Sequence, residues 1–290
     1  MKFVRRSAGR AWGALRQLPA YARGMTPGQM TGREYDLRKS RQVDLGDFSL
    51  FVMPNDYIGS SILANKIYEP HVTRQIRTLL ADGDVFLDLG ANVGYFTMMA
   101  SAILKTGGKV IAFEPNPQNV QLIYQSLHFG RVSNVFLHPY AASDMTGILR
   151  FVTRGSNGGI VTPHAQEQTH VFLVQSVVLD EILASEPRID LIKMDTEAHE
   201  PAALRGMVRL IERHRPKIIT EFHPWALRIN NAEPPEQYLR QIRDLGYRMS
   251  IILPSGELRP TTTSEQVMEY WASLNEETIH LDLLAEPAAR

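Results

Sequence analysis

Cysteine is absent from the 290 residues. Disulfide bonds and thiolate metal sites are therefore excluded, and the chain is compatible with a reducing compartment. The 31 lysines and arginines balance the 31 aspartates and glutamates, so the formal net charge is zero. Without an overall positive field there is no general attraction for nucleic acid. We therefore predict no nucleic-acid partner.

Long apolar runs are also absent. No segment approaches the roughly 18 apolar residues that a membrane-spanning helix needs. Near the N-terminus, arginines interrupt every apolar stretch, which argues against a secretory signal peptide. The composition, 44% hydrophobic and 21% charged, is typical of a globular protein. We expect a cytoplasmic protein with one large core and an accessory segment.

Residues 1–33 form a basic arm, because Glu34 is the first acidic residue of the chain. Trp12, Leu15 and Leu18 recur among the arginines at roughly helical intervals. The favoured interpretation is an arm that covers the active site or packs on a sister subunit in a homo-oligomer. A basic amphipathic helix on an anionic membrane, or bound to an acidic partner, is the alternative.

One stretch of the sequence indicates the type of fold. The apolar run Val85–Leu89 is followed by a turn with Gly90 and Gly94, and then by a helical pattern. A buried strand that enters a helix through glycines is typical of the first unit of a nucleotide-binding α/β fold. The next strand ends at Glu114, 20 positions beyond Gly94, where a ribose-binding carboxylate is expected.

The glycine spacing favours one class of cofactor. A dinucleotide site has the pattern G-x-G-x-x-G, whereas this turn has D-x-G-x-N-x-G, with Asp88 and Asn92 at positions where glycine is favoured. A carboxylate at the strand end repels a pyrophosphate but favours a cation. S-adenosylmethionine carries a sulfonium and an ammonium group and has no phosphate. The pattern therefore predicts S-adenosylmethionine as the cofactor and S-adenosylhomocysteine as its product.

Before this unit, residues 34–84 form an accessory segment. Alternation from Val43 to Met53 around Gly46-Asp47 predicts a β-hairpin. The stretch from Ile58 to Leu80 predicts two helices, broken near Pro70.

Residues 85–290 alternate between predicted strands and helices. Such alternation indicates an α/β fold, a doubly wound and mostly parallel sheet with helices on both faces and an N-terminal helical and hairpin extension. Between two strand-like runs, residues 154–159 predict a polar, glycine-rich loop that could cover a substrate. The predicted elements are strands at 134–140, 189–195, 217–223, 247–253 and 278–283, and helices at 117–129, 200–213 and 235–245.

Taken together, the motifs resemble the FkbM family of S-adenosylmethionine-dependent O-methyltransferases, a class I, Rossmann-like fold. The resemblance covers roughly residues 65–225. Ala198 departs from it, because the family has glycine in its D-x-E-G-x-E block. The matching motifs are Tyr68-Glu69-Pro70, Asp88-Leu89-Gly90-Ala91-Asn92-Val93-Gly94, Phe113-Glu114-Pro115-Asn116, Ala141-Ala142-Ser143-Asp144, Asp195-Thr196-Glu197-Ala198-His199-Glu200, Leu204-Arg205-Gly206 and Arg215-Pro216.

The resemblance implies a role for each matched position. The methionine end of the cofactor would lie against Asp88, Gly90, Asn92 and Gly94. The ribose hydroxyls would bind Glu114, with Asn116 beside it, and the adenine would lie between Ala141 and Ala142. Glu69 could reach the cofactor from the N-terminal side.

A hydroxyl acceptor must lose a proton, so the reaction needs a base within hydrogen-bonding reach. The candidates lie at the ends of two predicted strands. Asp195 ends one strand, with Glu197 and His199 just after it, and Glu221 and His223 end the other. Asp195 is the first choice. Asp195, Glu221 and His223 could also bind Mg²⁺, but they form no compact ligand motif, so we predict no metal site.

The sequence therefore predicts methyl transfer to a hydroxyl oxygen of a small molecule, a sugar or a glycoconjugate. Two alternatives stay open. One is N-methylation, since an amine needs less help from a base. The other is a non-catalytic scaffold or membrane-peripheral module that works through the basic arm.

Overall fold

The computed structural model describes residues 36–105, 107–161, 171–230, 233–275 and 279–288. The basic arm and most of the segment between residues 160 and 170 lie outside these ranges. The predictions made for the arm therefore stay predictions.

Strands and helices alternate along most of the described residues. The strands are β1 (Arg41–Asp44), β2 (Ser49–Val52), β3 (Val85–Leu89), β4 (Lys109–Phe113), β5 (Val135–His138), β6 (Ala141–Ser143), β7 (Gly147–Arg154), β8 (Asn157–Ile160), β9 (Val171–Val178), β10 (Leu191–Met194), β11 (Lys217–Phe222), β12 (Tyr247–Ile252), β13 (Leu258–Thr261) and β14 (Leu281–Pro287). The helices are α1 (Tyr57–Asn65), α2 (Pro70–Leu79), α3 (Tyr95–Leu104), α4 (Pro117–Gly130), α5 (Leu179–Ile182), α6 (Glu200–Arg205), α7 (Val208–His214), α8 (Pro224–Asn230), α9 (Pro235–Asp244) and α10 (Ser264–Ser273), with a 3₁₀ turn at Leu37–Lys39.

The central sheet has eight strands in the order β13-β12-β14-β11-β10-β3-β4-β5. The five strands from β11 to β5 are parallel, and β14 runs antiparallel between β11 and β12. From β3 the chain first moves outward to β4 and β5, and then returns to the other side of β3 for β10 and β11. This is the class I methyltransferase topology, so the predicted fold class is confirmed. Ligands of such sheets bind where the strand order reverses, here between β3 and β10.

Both faces of this sheet are covered, as expected for parallel strands. Every residue of β3 is buried. Leu87 and Leu89 pack on the face that carries α6, α7 and α9, while Phe86 packs on the opposite face. The hairpin β1–β2 and helices α1 to α4 cover that opposite face, so the accessory segment shares a core with the sheet.

A second sheet, in the order β6-β9-β7-β8, is inserted between β5 and β10. It corrects the prediction of a loop at residues 154–159. Strand β7 continues to Arg154, Gly155 and Ser156 form a two-residue turn, and β8 begins at Asn157. Glycine suits this turn because residue 155 has φ +76°.

The helix predicted at 200–213 is divided into α6 and α7. A Cβ on Gly206 would lie 2.0 Å from the backbone oxygen of Ser143, so residue 206 is pressed against the second sheet. Just beyond, the carboxylate of Asp180 accepts hydrogen bonds from the backbone N–H groups of Arg209 and Leu210 and caps the start of α7.

The C-terminal part also differs from the prediction. The last strand lies at Leu281–Pro287 rather than at 278–283, and α8, α10 and the edge strand β13 were not predicted. Within the described ranges, no helix has the length and apolarity that crossing a bilayer requires.

Candidate active site

A cavity of about 500 Å³ opens at the carboxyl ends of the parallel strands. Its walls come from the turn after β3, from Glu114 after β4, from Asp195 after β10 and from Glu221 at the end of β11. Helices α1 and α2 and the β7–β8 turn close its sides. The cavity therefore lies where the topology places a ligand.

The turn after β3 brings its backbone close to the neighbouring strand. Gly90 has φ +79°, and a Cβ at this position would lie 1.8 Å from the backbone oxygen of Asp195. The N–H groups of Gly90 and Ala91 both donate to the carbonyl of Phe113 at 3.0 Å. Only glycine satisfies both the backbone angle and the close approach, which explains the first glycine of the motif.

Glu114 is 4% exposed and lines the cavity. One carboxylate oxygen accepts the Asn92 N–H at 2.7 Å, and the other accepts the Asn116 N–H at 2.8 Å. Burial raises the pKa of Glu114 to about 8, although both backbone hydrogen bonds favour the ionised form. Oε1 also lies 3.5 Å from the Asn119 Nδ2 donor, whereas Oε2 retains a second lone pair for a ligand hydroxyl.

Six of the nine predicted cofactor residues line the cavity: Glu69, Gly90, Asn92, Glu114, Ala141 and Ala142. Asp88, Gly94 and Asn116 do not line this cavity, and their predicted contacts with the cofactor stay predictions.

Each of these three residues supports the wall from behind. Asp88 is fully buried and accepts a 2.6 Å hydrogen bond from Thr97 Oγ1, and burial raises its pKa. Asn116 caps α4 by accepting the Gln118 N–H. Gly94 lies against Ile123, where a Cβ would approach Cγ1 to 2.9 Å.

The end of the cavity beyond β10 is rich in carboxylates. Asp195 Oδ2 lies 2.9 Å from the Nζ of Lys193, which is buried and stands 4.7 Å above the ring of Phe96. Although burial opposes its charge, the carboxylates of Asp195, Glu69 and Asp88 raise the pKa of Lys193 above its ordinary value. Lys193 is thus a permanent cation within this cluster.

Two glutamates of the same end hold protons more tightly than usual. Burial, and then the charge of Asp282, raises the pKa of Glu69 to about 8. Burial, and then the charge of Asp195, raises the pKa of Glu221 well above its ordinary value. Glu221 Oε1 lies 3.3 Å from His280 Nδ1, and Oε2 accepts no hydrogen bond from the described residues.

The two predicted histidines line the cavity as neutral rings. Burial lowers the pKa of His199 to about 4, and its Nε2 lies 3.1 Å from Ser143 Oγ. Burial, and then His280, lowers the pKa of His223 to about 4, and its Nδ1 accepts the Ala226 N–H at 3.4 Å. All four predicted catalytic residues therefore meet at one cavity.

Asp195, Glu200 and Glu221 place ligand oxygens within 4.8 Å of one another. The sequence suggested Asp195, Glu221 and His223 as possible metal ligands. In the structure Glu200, and not His223, joins the two acidic residues. Glu200 Oε1 is held by the backbone N–H and the hydroxyl of Thr196, at 2.6 and 3.0 Å. Three carboxylates could bind a hard divalent cation, but Lys193 already supplies a positive charge beside Asp195.

Sequence reasoning missed several residues of the cavity. Lys193 occupies a strand interior, where lysine is unusual, and this was an available signal. The other missed residues come from distant parts of the chain and follow no motif: His71, His280 and Asn157 of the lining, and Asp282 behind it.

The β7–β8 turn is fastened over the cofactor end by hydrogen bonds. The Ser156 N–H and hydroxyl donate to the two oxygens of Asp56, at 2.8 and 2.5 Å. Asn119 Nδ2 donates to the Ser156 carbonyl, and Asn92 Nδ2 donates to Asn157 Oδ1. Because Asn92 also contacts Glu114, the position of this turn is linked to the cofactor end of the cavity.

Asp56→Asn is expected to loosen this turn. One oxygen of Asp56 accepts the Ser156 N–H and the other accepts the N–H groups of Ile58 and Gly59. In either orientation the NH₂ of an amide faces a backbone N–H, so at least one bond is lost, at a cost of about 1–3 kcal/mol. Hydrogen–deuterium exchange of residues 150–160 should accelerate about tenfold, which corresponds to about 1.4 kcal/mol. Asp47→Asn, on an exposed pair with Arg77, is the matched control. Unchanged exchange in Asp56→Asn would contradict the fastening role.

The family profile of the Methyltransferase FkbM domain matches residues 88–249, which is more than half of the chain. The chain is also similar to Hexuronic acid methyltransferase AglP of Haloferax volcanii, with 26% identity over 148 residues. That similarity spans 50% of this chain and 58% of AglP.

Two solved structures have related folds. A methyltransferase FkbM from Methylobacillus flagellatus aligns with a TM-score of 0.44 and 15% identity, over 81% of this chain and 62% of that one. A putative O-methyltransferase from Klebsiella pneumoniae aligns with a TM-score of 0.43 and 17% identity, over 78% and 81% of the respective chains.

Proposed function

The chain belongs to the FkbM methyltransferase family, and on this basis we propose that it transfers a methyl group from S-adenosylmethionine to a hydroxyl oxygen of a carbohydrate. One observation carries the proposal. A single cavity has a ribose-type carboxylate, Glu114, at one end and a cluster of carboxylates and histidines at the other.

The residues of the cofactor end fit a nucleoside with a cationic tail. Glu114 Oε2 accepts one backbone N–H and keeps a lone pair for a ribose hydroxyl. The small side chains of Ala141 and Ala142 leave room for a flat base. Toward β10 the wall carries the carboxylate of Asp195, whose negative charge suits a sulfonium and an ammonium group.

When bound, S-adenosylmethionine supplies an electrophilic methyl group. The remaining tasks belong to the protein: the walls align the acceptor with that methyl group, and a base takes the proton of the hydroxyl. Histidines at the β11 and β14 side of the cavity support an oxygen acceptor, because an amine has less need of a base. The similarity to a hexuronic acid methyltransferase supports a sugar as the carrier of the hydroxyl.

Incubation with S-adenosylmethionine and simple glycosides tests the proposal. The probes are methyl glucoside, methyl glucuronide and methyl glucosaminide, which offer a neutral sugar, a uronic acid and an amine. We expect S-adenosylhomocysteine together with a new O–CH₃ signal in the NMR spectrum of at least one glycoside. An N–CH₃ signal from the glucosaminide alone would favour N-methylation. Failure to bind S-adenosylhomocysteine in calorimetry would contradict the proposal.

A further inference from the structure

His71 and Asp282 form a partly buried hydrogen-bonded pair at the wall of the cavity. His71 is the second residue of α2, lines the cavity and has a side chain that is 22% exposed. Its Nε2 lies 2.7 Å from Asp282 Oδ2, and Asp282 is 8% exposed. The two residues are 211 positions apart in the chain.

The contact with Asp282 determines where the proton of the ring lies. A carboxylate accepts hydrogen bonds, so neutral His71 carries its hydrogen on Nε2 and keeps a lone pair on Nδ1. No donor to Nδ1 is found among the described residues. When Nδ1 takes a proton, the ring becomes positive beside the Asp282 carboxylate, which stabilises that charge. An aspartate behind a histidine orients and supports a base in this way.

The other candidate bases of the cavity are less suited to receive a proton. Burial lowers the pKa of His199 to about 4, and its Nε2 contacts Ser143 Oγ. His223 Nδ1 already accepts a backbone N–H. The two ring nitrogens of His280 face carboxylates, Nδ1 that of Glu221 at 3.3 Å and Nε2 that of Asp282 at 3.9 Å. Asp195 is paired with Lys193. Burial raises the pKa of Glu221 well above its ordinary value, so Glu221 holds its own proton.

The His71–Asp282 pair also lies at the end of the cavity that is distant from Glu114. Glu114 follows β4, and the sheet then continues through β3 and β10 to β11 and β14. Neighbouring strands are about 4.8 Å apart, so β11 lies about 14 Å from β4. A nucleoside held at Glu114 extends toward β10, and the space beyond it faces β11 and β14. Asp282 pairs in register with Glu221 across those two strands.

We infer that His71 is the general base of the reaction and that Asp282 is the residue that positions it; this inference rests on the proposed function. In the step, the acceptor O–H bond breaks and its proton passes to Nδ1. The electron pair of the oxygen forms the new O–C bond with the methyl group. The C–S bond breaks, and its pair stays on sulfur, which gives S-adenosylhomocysteine.

The test uses the full chain, the glycoside that the wild type methylates, and the variants His71→Gln, His71→Ala and Asp282→Asn. We expect His71→Gln to lower kcat about 100-fold. The Kd of S-adenosylhomocysteine and the KM of the glycoside should stay within about threefold of the wild type, because the ring contributes little to binding. Added imidazole should restore at least about a tenth of the lost rate in His71→Ala, and Asp282→Asn should lower kcat about tenfold.

His128→Gln, an exposed histidine on α4, is the matched control and should keep full activity. An unchanged kcat in His71→Gln would overturn the inference while leaving the proposed function intact. Loss of S-adenosylhomocysteine binding in that variant would also overturn it, because His71 would then be a binding residue. A wild type that binds S-adenosylhomocysteine but methylates no glycoside would overturn the proposed function, and the role of the pair with it.

Discussion

Glu114→Gln is expected to weaken S-adenosylhomocysteine binding about 100-fold, or about 2.7 kcal/mol. The two carboxylate oxygens accept two backbone N–H groups and a 3.5 Å contact from Asn119 Nδ2, and Oε2 keeps a lone pair for a ribose hydroxyl. An amide replaces one of those oxygens by a donor, which opposes both a backbone N–H and a ribose hydroxyl. Hydrogen bonds to a charged group contribute about 1.5–3 kcal/mol each, so this change removes one or two of them.

The same carboxylate makes nucleoside binding depend on pH. Burial raises the pKa of Glu114 to about 8, so most of the free protein carries a protonated Glu114 at neutral pH. Ribose hydroxyls bind the ionised form best, so affinity should increase as pH rises through about 8 and then level off. The probe is 5′-methylthioadenosine, which has the ribose but no ionisable amino acid. Calorimetry between about pH 6.5 and about pH 9 should show this rise in the wild type and not in Glu114→Gln.

Glu212→Gln, an exposed glutamate on α7, is the matched control for both measurements. It should bind S-adenosylhomocysteine as the wild type does. Equal affinity of Glu114→Gln and Glu212→Gln would remove Glu114 from the cofactor site. The same affinity at every pH in the wild type would mean that Glu114 does not change protonation when the nucleoside binds.

Gly90→Ala is expected to destabilise the fold by about 3 kcal/mol and to abolish cofactor binding. The new Cβ would lie 1.8 Å from the backbone oxygen of Asp195. The two backbone segments cannot move apart without disturbing β3 or β10. The residue would also have to adopt φ +79°. Thermal unfolding should show a Tm lower by about 10 °C, since each kcal/mol shifts the Tm of a chain of this size by about 2–4 °C.

Gly46→Ala separates the cost of a positive φ angle from the cost of the close contact between the Cβ and the backbone. Gly46 has φ +90° in the β1–β2 turn, and nothing lies within 4 Å of a Cβ at that position. Its substitution should therefore cost only the backbone penalty, about 1 kcal/mol, and leave S-adenosylhomocysteine binding unchanged. If Gly90→Ala is no less stable than Gly46→Ala, the close approach of β3 and β10 has no energetic consequence.

Much of the fold could be predicted because its causes are local. The buried runs Val85–Leu89 and Lys109–Phe113 could only be core strands, and glycines between a strand and a helix indicate a βα turn. Two strands of the second sheet were predicted as strand-like runs, but β8 was not, because Asn157–Ile160 becomes a strand only through pairing with β7. Polar and glycine residues carry no strand signal of their own.

Ala198 is a second position at which the sequence alone did not show the local structure. The family motif has glycine at this position, and the structure shows the reason, because Glu197 and Ala198 both have positive φ angles, 57° and 70°. Ala198 nevertheless keeps this conformation, with its side chain fully buried in the core. The departure from the motif therefore changes the residue and not the backbone path.

By itself the sequence determined the class of fold and the glycine turn and Glu114 carboxylate that line the cavity, because these depend on residues that are close in the chain and on fixed spacing. Tertiary structure alone decided which polar residues face the cavity. Asp88 belongs to the motif but is sealed behind the wall, while His71 and Asp282 belong to no common motif and meet at 2.7 Å. Spacing along a chain specifies a turn, but only the packing of helices on a sheet determines which side chains from distant segments share one space.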